Sequence, residues 1–212
     1  MGSNPAGSIL TMDQKRAIMQ LKALEKLIPD KEMRLAAEWD ERWKVLISTI
    51  LSAQTKDETT IKISNILYKK YPAPAKLASA PLSEIRKIIR PINYHKTKAR
   101  QIKETARIIS EKGIPQRMDG LLELPGVGRK VANVYLAEAH GAPCIGVDAH
   151  VTRISQKLGW SKHKNPHRIE KDLERLFPKR CWNSINYIVV RFGRSTKRSQ
   201  EDKILKEAGI IR

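Results

Sequence analysis

The sequence predicts an all-α protein. Apolar residues recur at helical spacing through most of the 212 residues, and helix caps, prolines and glycines separate these segments. Only residues 142–147 have the composition of a strand, and that run is too short and isolated to form a sheet. The chain is long enough for one domain or two small ones, with a sizeable core.

The N-terminal half contains five predicted helices, with their ends marked by local signals. Asp57 and Ser83 are placed to cap the third and fourth helices. Pro91 ends the fourth helix, and Gly113 ends the fifth as a C-cap. The five segments are residues 12–28, 42–54, 57–71, 81–90 and 96–113.

The C-terminal half contains five more. Asp148 opens the second of them, and Asn165 followed by Pro166 is the pattern of an N-cap and a first helical residue. The five segments are residues 127–140, 148–158, 166–177, 182–192 and 199–208.

The charge balance points to a polyanionic partner. Lys and Arg number 41 against 22 Asp and Glu, so the formal net charge is +19. A field this positive favours nucleic acid first and an acidic membrane surface second. The alternative is a charged surface that serves only solubility.

Other features suggest an intracellular protein. No apolar run is long enough to span a bilayer, and residues 1–10 lack the basic and apolar regions of a signal peptide. Cys144 and Cys181 are the only cysteines, too few for a disulfide framework, so we expect reduced thiols. We therefore expect the cytoplasm or nucleoid and no membrane partner.

Residues 124–130, LPGVGRK, predict a turn between a short helix at residues 119–123 and the helix that begins at residue 127. Gly126 and Gly128 allow another chain to approach the backbone closely, and N–H groups at a helix N-terminus can bind a phosphate oxygen. The carbonyls at the end of the first helix can hold a monovalent cation. These carbonyls belong to Leu122, Leu124 and Val127. The alternative is a plain corner between helices with a glycine cap.

This hairpin resembles that of a known family. LPGVGRKVANVYL, with Asp148 of GVDAHVTR eighteen residues after Lys130, is similar to the helix-hairpin-helix DNA glycosylases, and among them to endonuclease III. The similarity extends to residues 46–57 and 92–102 and covers about residues 40–195. The hairpin, the lysine and the aspartate together are specific, whereas the hairpin alone also occurs in plain DNA-binding modules.

The resemblance implies that Lys130 is the nucleophile. A free lysine has a pKa of about 10.4 and is a poor nucleophile while protonated. A helix N-terminus, the neighbouring Arg129 and a dry cleft would all disfavour the ammonium form. Lys130 would attack C1′ of the damaged nucleotide, expel the base and form a Schiff base, and the 3′ phosphate would leave by β-elimination. The alternative is a lysine that only binds phosphate.

The resemblance gives Asp148 a catalytic role as well. Its carboxylate can cap a helix, stabilise positive charge at the sugar and help to move the lysine proton. The alternative is an ordinary N-cap. His150 and Arg153 follow on the same helix. They either support the site or contact phosphate, and the alternative is that they are plain structural residues.

Two loops match those that fill the gap left by an extruded base. Gln54, in residues 52–55, matches the family's gap-filling glutamine. Tyr94 occupies the wedge position, which is usually aliphatic, and His95 follows it. An aromatic wedge can stack on the exposed partner base. The alternative for both loops is packing. The predicted DNA-binding set consists of the loop residues Gln54, Tyr94 and His95, the hairpin residues Gly126, Val127, Gly128 and Arg129, and the helix residues His150 and Arg153.

The chain departs from the family at its C-terminus. The family commonly ends in four cysteines that bind a [4Fe–4S] cluster, but residues 191–212 contain none, and Lys197 stands near the first expected ligand. Two cysteines cannot ligate such a cluster. We therefore expect no cofactor and no metal apart from the monovalent cation.

We expect two helical lobes with a DNA-binding cleft between them, one of residues 32–142 and one of residues 1–31 and 143–212, with Lys130 and Asp148 facing each other across the cleft. The predicted function is a bifunctional DNA glycosylase and AP lyase of base excision repair. Damaged double-stranded DNA is the expected partner of a monomer, and oxidised pyrimidines are the bases implied by the resemblance. Two alternatives stay open: an abasic-site lyase with little base excision, and a non-catalytic DNA-binding protein.

Overall fold

A computed structural model of the chain describes residues 11–29 and 33–211, so residues 1–10, on which the signal-peptide argument depends, lie outside it. Within the described residues every regular element is helical, and the all-α prediction is confirmed. The helices are α1 (Met12–Lys26), α2 (Arg42–Ser52), α3 (Asp57–Lys70), α4 (Pro74–Ser79), α5 (Leu82–Ile88), α6 (His95–Lys112), α7 (Met118–Leu122), α8 (Arg129–His140), α9 (Ala149–Lys157), α10 (Pro166–Leu176), α11 (Trp182–Ser195) and α12 (Glu201–Glu207), with a 3₁₀ turn at Lys179–Cys181. None of these helices is both long and apolar enough to cross a membrane.

Several predicted helix ends are confirmed. Gly113 ends α6 with a φ of 77°. The side chain of Asp148 caps α9, and that of Asn165 caps α10, in which Pro166 is the first residue. α5 ends at Ile88, shortly before Pro91.

Two predicted caps are wrong. Asp57 is the first residue of α3, and its Oδ2 accepts a hydrogen bond from the Ala36 N–H at 2.9 Å, so this carboxylate binds a distant segment. Ser83 lies inside α5, where Pro81 occupies the N-cap position. Because the proline side chain has no hydrogen-bond acceptor, α5 begins without a side-chain cap.

The described residues form two compact units. The hairpin unit consists of residues 33–146, and the terminal unit consists of residues 11–29 and 147–211. The sequence placed these boundaries after residues 31 and 142. Residues 143–146 remain with the hairpin unit, where Asn133 Nδ2 in α8 donates to the Ile145 carbonyl at 2.8 Å.

The hairpin unit has α2 in its core. Leu46, Ile47, Ile50 and Leu51 of this helix are at most 1% exposed, as expected for a helix that is apolar on most of its surface. α2 packs against α3, α6 and α8, and α7 packs against α8. The core of this unit therefore supports the hairpin formed by α7 and α8.

The terminal unit joins the two ends of the described chain. α11 packs against α1 and α9, and α10 packs against the same two helices. Gln20 of α1 is buried and serves as a polar link, because its Nε2 donates to the Leu158 and Ile210 carbonyls and its Oε1 accepts from Trp160 Nε1. These bonds tie α1 to segments more than a hundred residues away.

Candidate active site

The hairpin turn is fixed from inside the hairpin unit. Gly126 has a φ of 81°, and a Cβ on it would lie 3.0 Å from Ile50 Cγ2 and 3.1 Å from Gln101 Cβ. Thr105 Oγ1 of α6 donates to the Pro125 carbonyl at 2.8 Å. The turn is therefore packed on α2 and α6 at a position that favours glycine for both its conformation and its lack of a side chain.

Gly128 differs from Gly126. It is exposed, has a φ of −94°, and would meet no described atom within 4 Å if it carried a Cβ. The fold places no steric demand for glycine here. Open space at the N-cap of a helix, next to its partial positive charge, is what a close phosphate approach requires.

Val127 and Gly128, two of the residues predicted to bind DNA, lie directly before α8. The helix starts at Arg129, so Val127 and Gly128, predicted to lie in the helix, belong to the turn. Val127 is 6% exposed, and its N–H donates to the Leu124 carbonyl at 3.0 Å. Both the amide and the buried side chain of Val127 thus stabilise the turn. The carbonyl of Leu124, one of the three predicted cation ligands, accepts this bond.

Lys130 is the second residue of α8 and is half-buried. The inner face of α8 carries the buried Val131 and Tyr135, whereas Val134 is only partly covered. This packing fixes the first turn of α8 against the core. Lys130 therefore lies at a helix N-terminus whose position is set by the fold.

Asp148 is the N-cap of α9 in the terminal unit. Its Oδ1 accepts a hydrogen bond from the Val151 N–H at 2.8 Å. This bond satisfies one of the N–H groups that a helix N-terminus leaves without an intrahelical partner, and it fixes the carboxylate at the start of α9. Lys130 belongs to the hairpin unit and Asp148 to the terminal unit.

Gln54 and Tyr94 share an unusual backbone conformation. Among the described residues they are the non-glycine positions with positive φ, at 56° and 59°. Tyr94 is 65% exposed, and Gln54 is exposed as well. Such conformations cost about 1–3 kcal/mol each and cluster at functional sites. Both loops thus hold an exposed side chain on a strained backbone.

The same two loops are joined to each other. Asn93 Nδ2 donates to the Gln54 carbonyl, and the Asn93 N–H donates to Thr55 Oγ1 at 3.2 Å. α6 begins at His95, so only Tyr94 of the predicted pair remains in the loop. The structure therefore brings together the two residues predicted to fill a gap in DNA.

Lys98 is a residue that the sequence interpretation missed. It is 5% exposed, and its Nζ donates to the carbonyls of Leu51 and Ala53 at 2.7 and 2.5 Å. Burial, with a further contribution from the charge of Lys130, lowers the pKa of Lys98 to about 8. One signal was available, because Lys98 shares the core-facing side of α6 with Ile102.

His150 and Arg153 lie within the terminal unit on α9. The Arg153 guanidinium contacts both carboxylate oxygens of Glu201, with a shortest distance of 2.7 Å, and its Nη2 lies 3.2 Å from His150 Nδ1. Glu201 is fully buried. A Cβ on Gly193 would lie only 2.5 Å from His150 Nδ1. These contacts favour the structural role that the sequence left open for both residues.

The cysteines do not fit an iron–sulfur cluster. Cys144 lies in the hairpin unit and Cys181 in the terminal unit, and the C-terminal segment that includes α12 has no cysteine. Among the described residues there is no group of three or more His, Cys, Asp or Glu side chains that could hold a metal ion. A cluster that needs four thiolates cannot be assembled from two.

Comparison with known proteins agrees with the hairpin and the fold. Residues 47–179 match the HhH-GPD superfamily of base excision DNA repair proteins. Endonuclease III of Thermotoga maritima is 42% identical over 155 residues, which cover 72% of this chain and 73% of that protein.

Two solved structures are similar over most of their length. A non-covalent endonuclease III–DNA complex has a TM-score of 0.79 at 33% identity, and a trapped endonuclease III–DNA covalent intermediate has a TM-score of 0.78 at 34% identity. Each comparison covers 88% of this chain and 87% of the other.

The helical fold and the hairpin thus define a base excision DNA repair protein of the HhH-GPD superfamily. Within that class the chain belongs to the endonuclease III family, and it is a DNA glycosylase and AP lyase.

Proposed function

We propose that the protein removes damaged bases from double-stranded DNA with Lys130 as nucleophile and then cleaves the strand at the resulting site. The observation that carries this proposal is the position of Lys130, in the first turn of α8 directly after a turn whose Gly128 leaves open space. A phosphate held at this N-terminus would bring the neighbouring sugar to the amine. The solved covalent intermediate of a similar endonuclease III supports the same chemistry.

The reaction follows from the chemistry of an amine at C1′. The free amine of Lys130 attacks C1′, the bond from C1′ to the base breaks, and the base leaves with a proton. Opening of the sugar gives an imine, which acidifies the C2′–H. Loss of that proton expels the 3′ phosphate by β-elimination, and water then releases Lys130. The Asp148 carboxylate stabilises positive charge at the sugar and assists proton transfer.

Reductive trapping tests this assignment. Borohydride should reduce the imine and leave the protein covalently attached to a strand with an abasic site or a lesion. Lys130→Gln should abolish trapping and still bind DNA, because the hairpin backbone is unchanged. Asp148→Asn should retain binding and slow cleavage by about 10²-fold or more. Lys112→Gln, at an exposed lysine in the last turn of α6, is the matched control and should trap normally.

Three outcomes would contradict the assignment in different ways. Undiminished trapping by Lys130→Gln would mean that another amine is the nucleophile. Base release without trapping would indicate a glycosylase that uses water. Neither release nor trapping on any lesion would leave a DNA-binding protein.

The substrate assignment has its own experiment. We propose oxidised pyrimidines as the preferred bases, from the family resemblance. A panel of duplexes that each carry one lesion should show faster release of oxidised pyrimidines than of alkylated or oxidised purines. Cleavage of preformed abasic sites without release of any base would support the lyase alternative.

We also propose that the protein carries no iron–sulfur cluster and acts as a monomer in the cytoplasm, at the nucleoid. The first part rests on the number of cysteines, since the chain has only two, and the location follows from the proposed DNA substrate. Elemental analysis of purified protein should find no stoichiometric iron, and light scattering should give the mass of one chain. Iron at one cluster per chain would overturn the proposal that no cluster is present, and the mass of a dimer would overturn the proposed monomer.

A further inference from the structure

Asn93 joins two loops that are far apart in the sequence. Its side-chain Nδ2 donates to the Gln54 carbonyl, and its backbone N–H donates to Thr55 Oγ1 at 3.2 Å. These two hydrogen bonds, the Asn93 bridge, connect one residue to two consecutive residues 39 and 38 positions earlier. Asn93 is exposed, so water can satisfy both donors and burial requires neither bond. The bridge therefore serves to fix the position of one loop against the other.

The bridge adjoins both residues that have a strained backbone. Gln54, whose carbonyl accepts the side-chain bond, has a φ of 56°, and Tyr94, which follows Asn93, has a φ of 59°. Non-glycine residues keep such conformations only where the surrounding structure determines them. Asn93 binds the first of these residues and is covalently joined to the second, so the bridge constrains both.

Each loop is also attached to the core of the hairpin unit. Ile92, directly before Asn93, is 1% exposed. Lys98 in α6 is buried, its N–H donates to the Tyr94 carbonyl at 3.0 Å, and its Nζ lies 3.5 Å from Thr55 Oγ1. Both loops thus have fixed ends, and the bridge sets the spacing between the two exposed side chains that they carry.

Spacing matters because two side chains have to enter one gap. An extruded base leaves a space between its neighbours in the stack, and contacts made in that space offset the cost of unstacking. Two loops that move independently lose conformational freedom when they insert, whereas loops that are already held in position lose less. An exposed glutamine and an exposed tyrosine at a fixed spacing therefore favour extrusion more than the same side chains on independent loops.

We propose that Asn93 is a positioning residue for base extrusion: its two hydrogen bonds hold Gln54 and Tyr94 at the spacing at which both side chains enter the duplex together. Asn93 acts through these two residues, and the proposal assigns to it no contact with DNA. The inference rests on the proposed gap-filling roles of Gln54 and Tyr94, and it is independent of which amine is the nucleophile.

Two variants each remove one bond of the bridge without adding charge. Asn93→Leu has nearly the shape of asparagine but no donor, and Thr55→Val lacks the hydroxyl that accepts the Asn93 N–H. Each should slow release of a damaged base from duplex DNA by about fivefold, the effect of losing one intramolecular hydrogen bond. A preformed abasic site has no base to unstack, so its cleavage should slow much less. Single-turnover rates on the two substrates measure both effects.

Two further variants separate positioning from general structure. Thr55→Ser keeps a hydroxyl that can accept from the Asn93 N–H, so base release should return close to the wild-type rate. Gln156→Met removes a similar bond in the terminal unit, where the exposed Gln156 donates through Nε2 to the His163 carbonyl at 2.8 Å. It should leave both rates unchanged. All four variants should keep the wild-type Tm, because each alters an exposed or half-buried side chain.

A double-mutant cycle tests whether Asn93 acts through Gln54. In a Gln54→Gly background only the Tyr94 side chain can fill the gap, so spacing no longer matters and Asn93→Leu should cause no further loss of base release. A further loss of about fivefold in that background would mean that Asn93 acts independently of Gln54, and it would overturn the inference. Equal losses on the two substrates, or a Thr55→Ser variant as slow as Thr55→Val, would overturn it as well.

The same measurements distinguish this inference from the roles on which it rests. If Gln54→Gly slows base release selectively and Asn93→Leu does not, the inference alone fails. If neither Gln54→Gly nor Tyr94→Gly has a selective effect on base release, the gap-filling roles fail and the inference fails with them. Trapping through Lys130 is decided separately, since base release is measured without it.

Discussion

Two glycines in the hairpin turn are subject to different constraints. Gly126 has a positive φ and packs against Ile50 and Gln101, whereas a side chain at Gly128 would extend into open space. Gly126→Ala should therefore lower the free energy of unfolding by about 2 kcal/mol, from backbone strain and crowding, which corresponds to about 5 °C in Tm. Thermal unfolding measured by circular dichroism checks this.

Gly128→Val should instead weaken DNA binding and leave stability unchanged. Its Tm should stay near that of the wild type, but affinity for undamaged duplex should fall by about tenfold, the loss expected when a side chain displaces a charge-assisted hydrogen bond to phosphate. Fluorescence anisotropy with several duplex sequences measures this, and the loss should be the same for all of them. Unchanged affinity would mean that the backbone at Gly128 does not contact DNA.

Gln54 and Tyr94 allow base extrusion to be separated from chemistry. Because both have positive φ, glycine is the substitution that removes the side chain and relieves strain at the same time. Gln54→Gly and Tyr94→Gly should retain the wild-type Tm. Each should slow excision of a base from duplex by about tenfold, since extrusion costs a few kcal/mol, and slow cleavage of a preformed abasic site much less.

Single-turnover rates on the two substrates distinguish the possibilities. Equal loss on both would mean that these residues serve general binding. A lower Tm would mean that their side chains support the fold.

At individual residues, the sequence predicted those roles that depend on local signals. The caps at Asp148 and Asn165 depend on spacing within one turn, and both were predicted correctly. Asp57 was misassigned because its partner is the Ala36 N–H, 21 residues away. Lys98 was missed for the same reason, since its carbonyl partners lie more than 40 residues away. The roles of Lys130 and Asp148 stay predictions.

Among the elements, the C-terminal helix α12 is attached to α9 by a buried ion pair. Glu201 is fully buried against Arg153, whose side chain is 18% exposed, and Lys157 lies 3.7 Å from the same carboxylate. Removing one partner of a buried pair leaves an uncompensated charge. Glu201→Gln should therefore reduce the free energy of unfolding by about 3–5 kcal/mol, measured by urea denaturation.

Asp202 supplies the matched control on the same helix. It pairs with Lys157, but its side chain is 62% exposed, and exposed pairs contribute at most about 1 kcal/mol. Asp202→Asn should therefore leave stability almost unchanged. Similar losses in the two variants would show that α12 is held by apolar packing around Leu205, with little contribution from the ion pair.

The sequence predicted the positions of the helices more accurately than their ends. The hairpin was predicted from glycines and flanking periodicity, but α8 begins at Arg129, two residues later than expected, because the turn uses the Val127 amide internally. α4 was not predicted, since a helix of six residues has too few turns to show periodicity. The strand-like residues 142–147 form no strand because no described segment pairs with them.

For the whole molecule, the formal charge of +19 predicts how binding to undamaged DNA responds to salt. Each phosphate that the protein neutralises releases condensed counterions, so the slope of log K against log salt should steepen by about 0.9 per phosphate. With six phosphates neutralised, affinity should fall by about 10³-fold between about 50 and 200 mM salt. Two unrelated duplex sequences should give the same slope, since a hairpin that contacts only the backbone reads no bases.

The slope also separates the hairpin from the general surface charge. Arg129 is the first residue of α8, at the proposed phosphate site, so Arg129→Gln should reduce the magnitude of the slope by about one. Lys203→Gln removes the same charge from the exposed face of α12, next to Glu207, and should change the slope much less. Equal changes in both variants would mean that DNA responds to net charge alone. A flat salt profile in the wild type would mean that phosphate contacts do not dominate binding, and the basic surface would then serve solubility.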